Sequence, residues 1–319
     1  ESHCFAHAMG HGCEEHHDLE CSQCMSIFKL FEDLRPLIVV QNQNDLHHVL
    51  YEDLPRLAKS FMGHRFRTAH TKQIHAQALQ SISETHCVII LDFKQKLFRE
   101  SGREAQQDWF GKNAFASLHG AAILTQQQAT HRNALISQDT PSGRYRKPNS
   151  KKRTSQRVST EVQVEFIDIY SQDTTQDSVW VMNAVELVSL HLSINMPHLI
   201  SVEIWCDNAT CYHNSEFSRF APLIFQQNGL LLRSMRFFEA GEGKSLLDRH
   251  FATVRHSVLE RITSGHSFES LIDIREVLER LSSVHCYQIT PNRTVSSPVH
   301  KQKIPQISFL HDWRFEKSD

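Results

Sequence analysis

Three apolar, strand-like runs in this chain each lead into carboxylates, and this pattern limits the fold more than any other feature. Asp92 follows Val88-Ile89-Ile90-Leu91, a first acidic island (Cys206 to Asn214) follows Leu199 to Cys206, and a second (Glu239 to Asp248) follows Leu230 to Phe238. A strand that is apolar on both faces must be covered on both faces, so these runs belong inside a sheet between helical layers. Acids at the ends of such strands can hold divalent cations against a phosphate, because hard cations take oxygen ligands. Each acid also has a plainer role. Asp207-Asn208 can close a strand through side-chain turns, and Asp248 suits the first turn of a helix, where the dipole favours a negative charge.

The rest of the chain supports an α/β order. Leu46 to about Ser83 reads as helical and basic around a break at Gly63. Thr85–Phe93, Phe115–Thr125 and the alternating Val162–Tyr170 read as three strands. Helix Ser178–Ser193, strand Leu199–Cys206, helix Ser215–Gln227 and strand Leu230–Phe238 follow. A long helix over Lys244–Ile262 comes next, with Leu247, Phe251, Val254, Val258 and Ile262 at helical spacing, and then a helix over Phe268–Ser282. The fold class is therefore α/β, a mixed five-stranded sheet flanked by helices. Residues 126–160 are polar, with Arg144, Lys147, Lys151 and Arg157 among their basic residues, and read as a flexible basic insertion between strands. The expected organisation is a Cys/His knuckle over 1–30, a helical and partly basic region over 31–84, a core over 85–290, and an incomplete extension over 291–319.

A net charge of −2 excludes a uniformly basic nucleic-acid binder and confines any such contact to local patches. Arg65, Arg67, Lys244 and Arg255 are the candidates for such contact. No apolar run reaches the roughly 20 residues that span a bilayer, and nothing at the start reads as a secretion signal. No membrane partner is expected, and the localisation expected is nuclear or cytoplasmic, not secreted. Four of the eight cysteines fall within the first 24 residues among five histidines, a local cluster and not a chain-wide disulfide framework. Cys13, His17, Cys21 and Cys24 have spacings that suit a structural zinc ion, and Cys4, His7, His11 and His16 remain alternative ligands.

The order of elements, with acids after the first strand, after the fourth and in the helix after the fifth, resembles the ribonuclease H-like fold of transposases and integrases. A closer resemblance runs through Asp92-Phe93-Lys94-Gln95-Lys96, Asp108-Trp109-Phe110-Gly111-Lys112, Trp205-Cys206-Asp207-Asn208-Ala209, and Glu239-Ala240-Gly241-Glu242-Gly243-Lys244 with Asp248 and Phe251-Ala252. These motifs resemble a group of transposon-derived animal proteins in which a Cys/His knuckle precedes the core. The resemblance covers about residues 1–290, and Ile307, His311, Asp312 and Trp313 also fit it.

The resemblance implies Asp92 and Asp207 as the first two acids of a DDE-type site binding magnesium or manganese. Asp248 is the third, with Glu239 and Glu242 as alternatives. It implies metal-dependent phosphodiester hydrolysis or strand transfer on DNA. The competing expectation is a catalytically inactive domesticated relic that binds DNA or acts as a scaffold. Either form can be a homo-oligomer. Nucleotide hydrolysis is excluded, because the glycine that a phosphate-binding loop requires five residues before Gly243 is Phe238. A Gly-x-Ser-x-Gly hydrolase elbow is absent. His213, near Asp207, can polarise a water, but reads first as a satisfied loop histidine, and His119 calls for the same caution.

Overall fold

A computed structural model describes residues 22–34, 48–94, 96–101, 114–126, 162–239, 246–293 and 312–315. The chain divides into two compact units, residues 1–77 with 238–242 and residues 78–237 with 243–319. Within the first lie helix α1 (Ser22–Leu34), a π-helical turn (Val49–Asp53) and most of helix α2 (Leu54–Gln80). The break expected at Gly63 is not there. Helix α2 runs straight through this buried glycine, whose intrinsic cost of about 1 kcal/mol a long helix absorbs.

The second unit is built on a mixed sheet. Its strands are β1 (His86–Phe93), the short β2 (Leu97–Phe98), β3 (Ala114–Gln126), β4 (Val162–Ser171), β5 (Ser201–Cys206), β6 (Leu231–Phe237), β7 (Val284–Gln288) and β8 (Asp312–Arg314). They lie in the order β7-β4-β3-β1-β5-β6-β8, with β2 paired to β3 off this path. β1, β3 and β4 form an antiparallel meander. β5 and β6 add in parallel beside β1, joined by the crossover that parallel strands require. All six residues of β5 and the first six of β1 are buried, so both faces of the sheet centre are covered.

Helices α3 (Ser178–Asn195) and α4 (Ser215–Gln227) cover one face. Cys87, Ile89 and Leu91 of β1 pack there with Trp180, Val181, Val185 and Phe217. Both helices start at side-chain caps that satisfy a free backbone N–H. Asp177 accepts from the Trp180 N–H at 3.0 Å, and Asn214 accepts from the Phe217 N–H at 2.9 Å. Helix α5 (Leu246–Thr263) buries Leu247, His250, Phe251, Val254 and Val258 along one stripe. Leu247 and Phe251 come close to Gly120 of β3, on the face of the sheet that alternates with the α3–α4 face.

The mixed sheet flanked by helices is as expected, and the five anticipated strands form its centre. Three strands were not anticipated. β2 is two residues long. β7 takes residues just after the expected helix over Phe268–Ser282, which is shorter, α6 (Leu271–Leu278), because Ser270 and Asp273 form a capping box that starts it late. β8 lies in the C-terminal extension and pairs with β6. Arg236 links it to the sheet, donating from Nη1 to Glu203 Oε1 at 2.6 Å and from Nε to Asp312 Oδ1 at 3.0 Å. The same Glu203 oxygen accepts from Trp205 Nε1 at 2.6 Å, so one oxygen of this buried acid serves two donors. Residues 127–161, which hold most of the expected basic insertion, lie outside the described residues, while β3 itself extends to Gln126.

Candidate functional site

Leu91 of β1 stands in register with Cys206 of the parallel β5. The next residues, Asp92 and Asp207, therefore leave neighbouring strands at the same end of the sheet. Both are partly buried, and Asp248 is exposed in the first turn of α5. The three sit within one electrostatic neighbourhood. Burial, then the charge of Asp207 and then that of Asp248, push the Asp92 carboxyl up to about 7. Burial also raises Asp207, offset in part by a backbone hydrogen bond, in which Ala209 N–H donates to Asp207 Oδ1 at 3.0 Å. Asp207 thus shapes the turn after β5 and faces the acids as well. A buried carboxyl whose proton affinity two neighbouring acids raise marks a place suited to positive charge, whether as a proton or as a divalent cation.

The approach of α5 depends on one residue of β3. Gly120 lies opposite Asp92 on one side and Asp168 of β4 on the other. A Cβ there would stand 2.8 Å from Leu247 Cδ2 and 2.9 Å from Phe251 Cζ, so only glycine lets the start of α5 lie this close to the sheet. On the far side of Gly120, Asp168 is fully buried. Its Oδ2 lies 2.8 Å from His250 Nε2, and the His250 ring stacks on Phe166 at 4.2 Å. This contact ties α5 to β4 two residues beyond Asp248. Lys94, two residues after Asp92, belongs to the same region. Burial and, after it, the charge of Arg255 bring the Lys94 ammonium down to about 8, while Asp168 and Glu100 oppose the shift.

The opposite face of the sheet behind Asp92 is aromatic. His119 packs among Phe93, Trp180 and Tyr212, with ring centroids 4.8–6.0 Å away. Burial holds its pKa down to about 3, so it stays neutral and adds no charge to the acids. His213 Nδ1 is hydrogen-bonded to Asn208, and the ring stacks on Phe237 at 4.3 Å. Cys206 and Cys211 are buried free thiols whose pKa values burial raises, which leaves them inert as nucleophiles.

Glu239 accepts from Arg67 Nε at 2.6 Å and lies 3.1 Å from His64 Nδ1, so it is engaged with α2 in its own unit. Arg255 pairs with Glu100. Arg65 lies on α2. Glu242 and Lys244 lie outside the described residues, as do Cys13, His17 and Cys21. Cys24 falls in α1, with its side chain outside them as well. Gly120 and His250 carried no signal in the sequence, and Lys94 entered only as part of the motif Asp92-Phe93-Lys94-Gln95-Lys96. Asp168 did carry one, as the single acid on the face Val162, Val164, Phe166, Tyr170 of an alternating strand. No protein-family model, curated protein or solved structure matches this chain.

Proposed function

We propose that this chain is a ribonuclease H-like, transposase-derived protein in which Asp92, Asp207 and Asp248 hold Mg²⁺ or Mn²⁺ for phosphodiester hydrolysis or strand transfer on DNA. The observation that carries this reading is the convergence of three sequence-distant acids on one end of the sheet, where Asp207 and Asp248 both raise the proton affinity of Asp92. The strand arrangement supports it too. β1 is central, antiparallel to β3 and parallel to β5, and Asp92 on β1 and Asp207 just after β5 fall at the same end. Divalent cations held there would activate the attacking water or 3′ hydroxyl and stabilise the leaving oxygen.

The chain's own residues supply the frame. Asp92 and Asp207 are fixed by neighbouring strands, and α5, seated on Gly120 and tied by Asp168–His250, brings Asp248 to them. With Glu239 engaged by Arg67 and His64, Asp248 is the third acid we assign. The knuckle Cys13, His17, Cys21 and Cys24 would hold a structural Zn²⁺.

The test is calorimetric titration of Mg²⁺ and Mn²⁺ into the chain and into Asp92→Asn/Asp207→Asn, followed by cleavage assays on DNA. Binding lost in the double variant, with cleavage lost in Asp207→Asn, supports the enzyme. Cation binding without cleavage supports the inactive relic, and cleavage that survives Asp207→Asn overturns the site.

A further inference from the structure

We propose a second metal site, independent of the three aspartates, formed by Glu165, His191 and His285 and suited to a zinc-class divalent ion. Glu165 lies on β4, His285 on the parallel edge strand β7, and His191 in the last turns of α3. His285 pairs across from Ile167, which puts it on the same face of the sheet as Glu165, two residues earlier on β4. One donor atom from each of the three residues lies within 4.8 Å of the other two. The His285 Nε2 and Glu165 Oε1 atoms are in direct contact, and His191 Nε2 lies 3.8 Å from the same carboxylate oxygen. Two donors on a tetrahedral zinc with bonds of about 2.0–2.1 Å stand about 3.3 Å apart, so small side-chain adjustments bring this trio into coordinating geometry.

The second observation is the state of His191. Its side chain is 1% exposed, yet Nε2 has no hydrogen-bond partner among the described residues and faces the cluster. A buried nitrogen without a partner is unusual, because the group has left water without compensation. The other ring nitrogen, Nδ1, lies 2.8 Å from Tyr287 Oη, while the neighbouring Asn195 Nδ2 donates to the His191 carbonyl at 3.0 Å. With Nδ1–H donating to the tyrosine oxygen, the lone pair of Nε2 points at Glu165 and His285. Metal-binding histidines are oriented in this way by a second hydrogen bond. Two imidazoles and one carboxylate form the donor set of three-ligand zinc sites that keep a position open. His285 is 43% exposed, so water or an exogenous ligand has a route to that position. A metal there would pin β7, a five-residue edge strand, to β4 and α3.

The test is Zn²⁺ titration by calorimetry of the full chain carrying Cys21→Ser and Cys24→Ser, which removes the thiolates of the knuckle. We expect one equivalent of zinc, retained when Asp92→Asn/Asp207→Asn is added. Binding should weaken at least tenfold with His285→Ala or Glu165→Gln. Tyr287→Phe, which removes the group that orients His191, should weaken it ten- to a hundredfold. His285 is half exposed, so its variant should fold, and Glu165→Gln gives a near-isosteric second check. Absence of zinc binding in the parent, binding unchanged by both His285→Ala and Glu165→Gln, or binding that vanishes with the aspartates would each overturn the proposal. The first two outcomes leave the magnesium titration at Asp92 and Asp207 untouched, whereas the third would move the zinc to those aspartates.

Discussion

His250 Nε2 and Asp168 Oδ2 are 2.8 Å apart, with both residues buried. The pair joins the first turns of α5 to the third strand of the meander, on the face where Asp248 approaches Asp92. Asp168→Ala leaves a buried imidazole nitrogen unpartnered and is expected to cost roughly 2–4 kcal/mol of stability. A double-mutant cycle with His250→Ala should give a coupling of about 1 kcal/mol or more. Denaturant unfolding of the three variants measures it. Mg²⁺ titration of Asp168→Ala should also show weakened binding, because Asp248 depends on the seating of the helix.

Gly120→Ala tests that seating from the sheet side. Its Cβ would meet Leu247 and Phe251 at less than 3.0 Å, and both side chains are buried. The helix must shift outwards, at an expected cost of about 1–3 kcal/mol. Cation affinity should fall, with Asp92 and Asp207 still in place. A variant with parental stability and parental Mg²⁺ affinity would show that α5 does not set the position of Asp248.

Asp92→Asn should stabilise the cation-free protein at neutral pH. In the unfolded chain an aspartate titrates near 3.9, whereas burial and the two neighbouring acids hold Asp92 up to about 7 in the folded protein. Between about pH 4 and 7 the folded state keeps a proton that the unfolded chain has released. Stability therefore falls as pH rises through this window, by up to about 1.4 kcal/mol per pH unit. The asparagine removes this slope, with an expected gain on the order of 2 kcal/mol at pH 7.5, seen by urea denaturation. Mg²⁺ should stabilise the parent at pH 7.5 and have little effect on the variant.

Glu239 and Asp248 should separate cleanly as candidates for the third acid. Glu239→Gln weakens the pairing with Arg67 and His64 and should lower stability by about 1–2 kcal/mol while leaving Mg²⁺ binding unchanged. Asp248→Asn should reduce Mg²⁺ affinity at least tenfold with little change in the melting temperature, since Asp248 is exposed. Calorimetry and thermal melting on both variants read the two effects. The opposite pattern would move the third role to Glu239.

Much of the fold was legible in the sequence because it is local. β1 and β5 read as strands from runs apolar on both faces, and β4 from its alternation. Helix α5 appeared as apolar residues every three to four positions. Asp92 and Asp207 stood out because each follows such a run directly. β7 and β8 escaped because short edge strands carry little pattern of their own, and only pairing with β4 and β6 makes them strands. Gly63 suggested a break that propensity alone predicts, but the continuous α2 overrides it.

The sequence by itself determined which segments must be buried and where acids meet the ends of strands, since both follow from side-chain chemistry at short spacing. Only the tertiary structure decided that the charge of Asp248 reaches Asp92, why Gly120 must lack a side chain, and that Asp168 meets His250. It alone brought Glu165, His191 and His285 together. Each of these relationships joins residues far apart in the chain, and strand register and helix seating, which no local pattern encodes, set the distances between them.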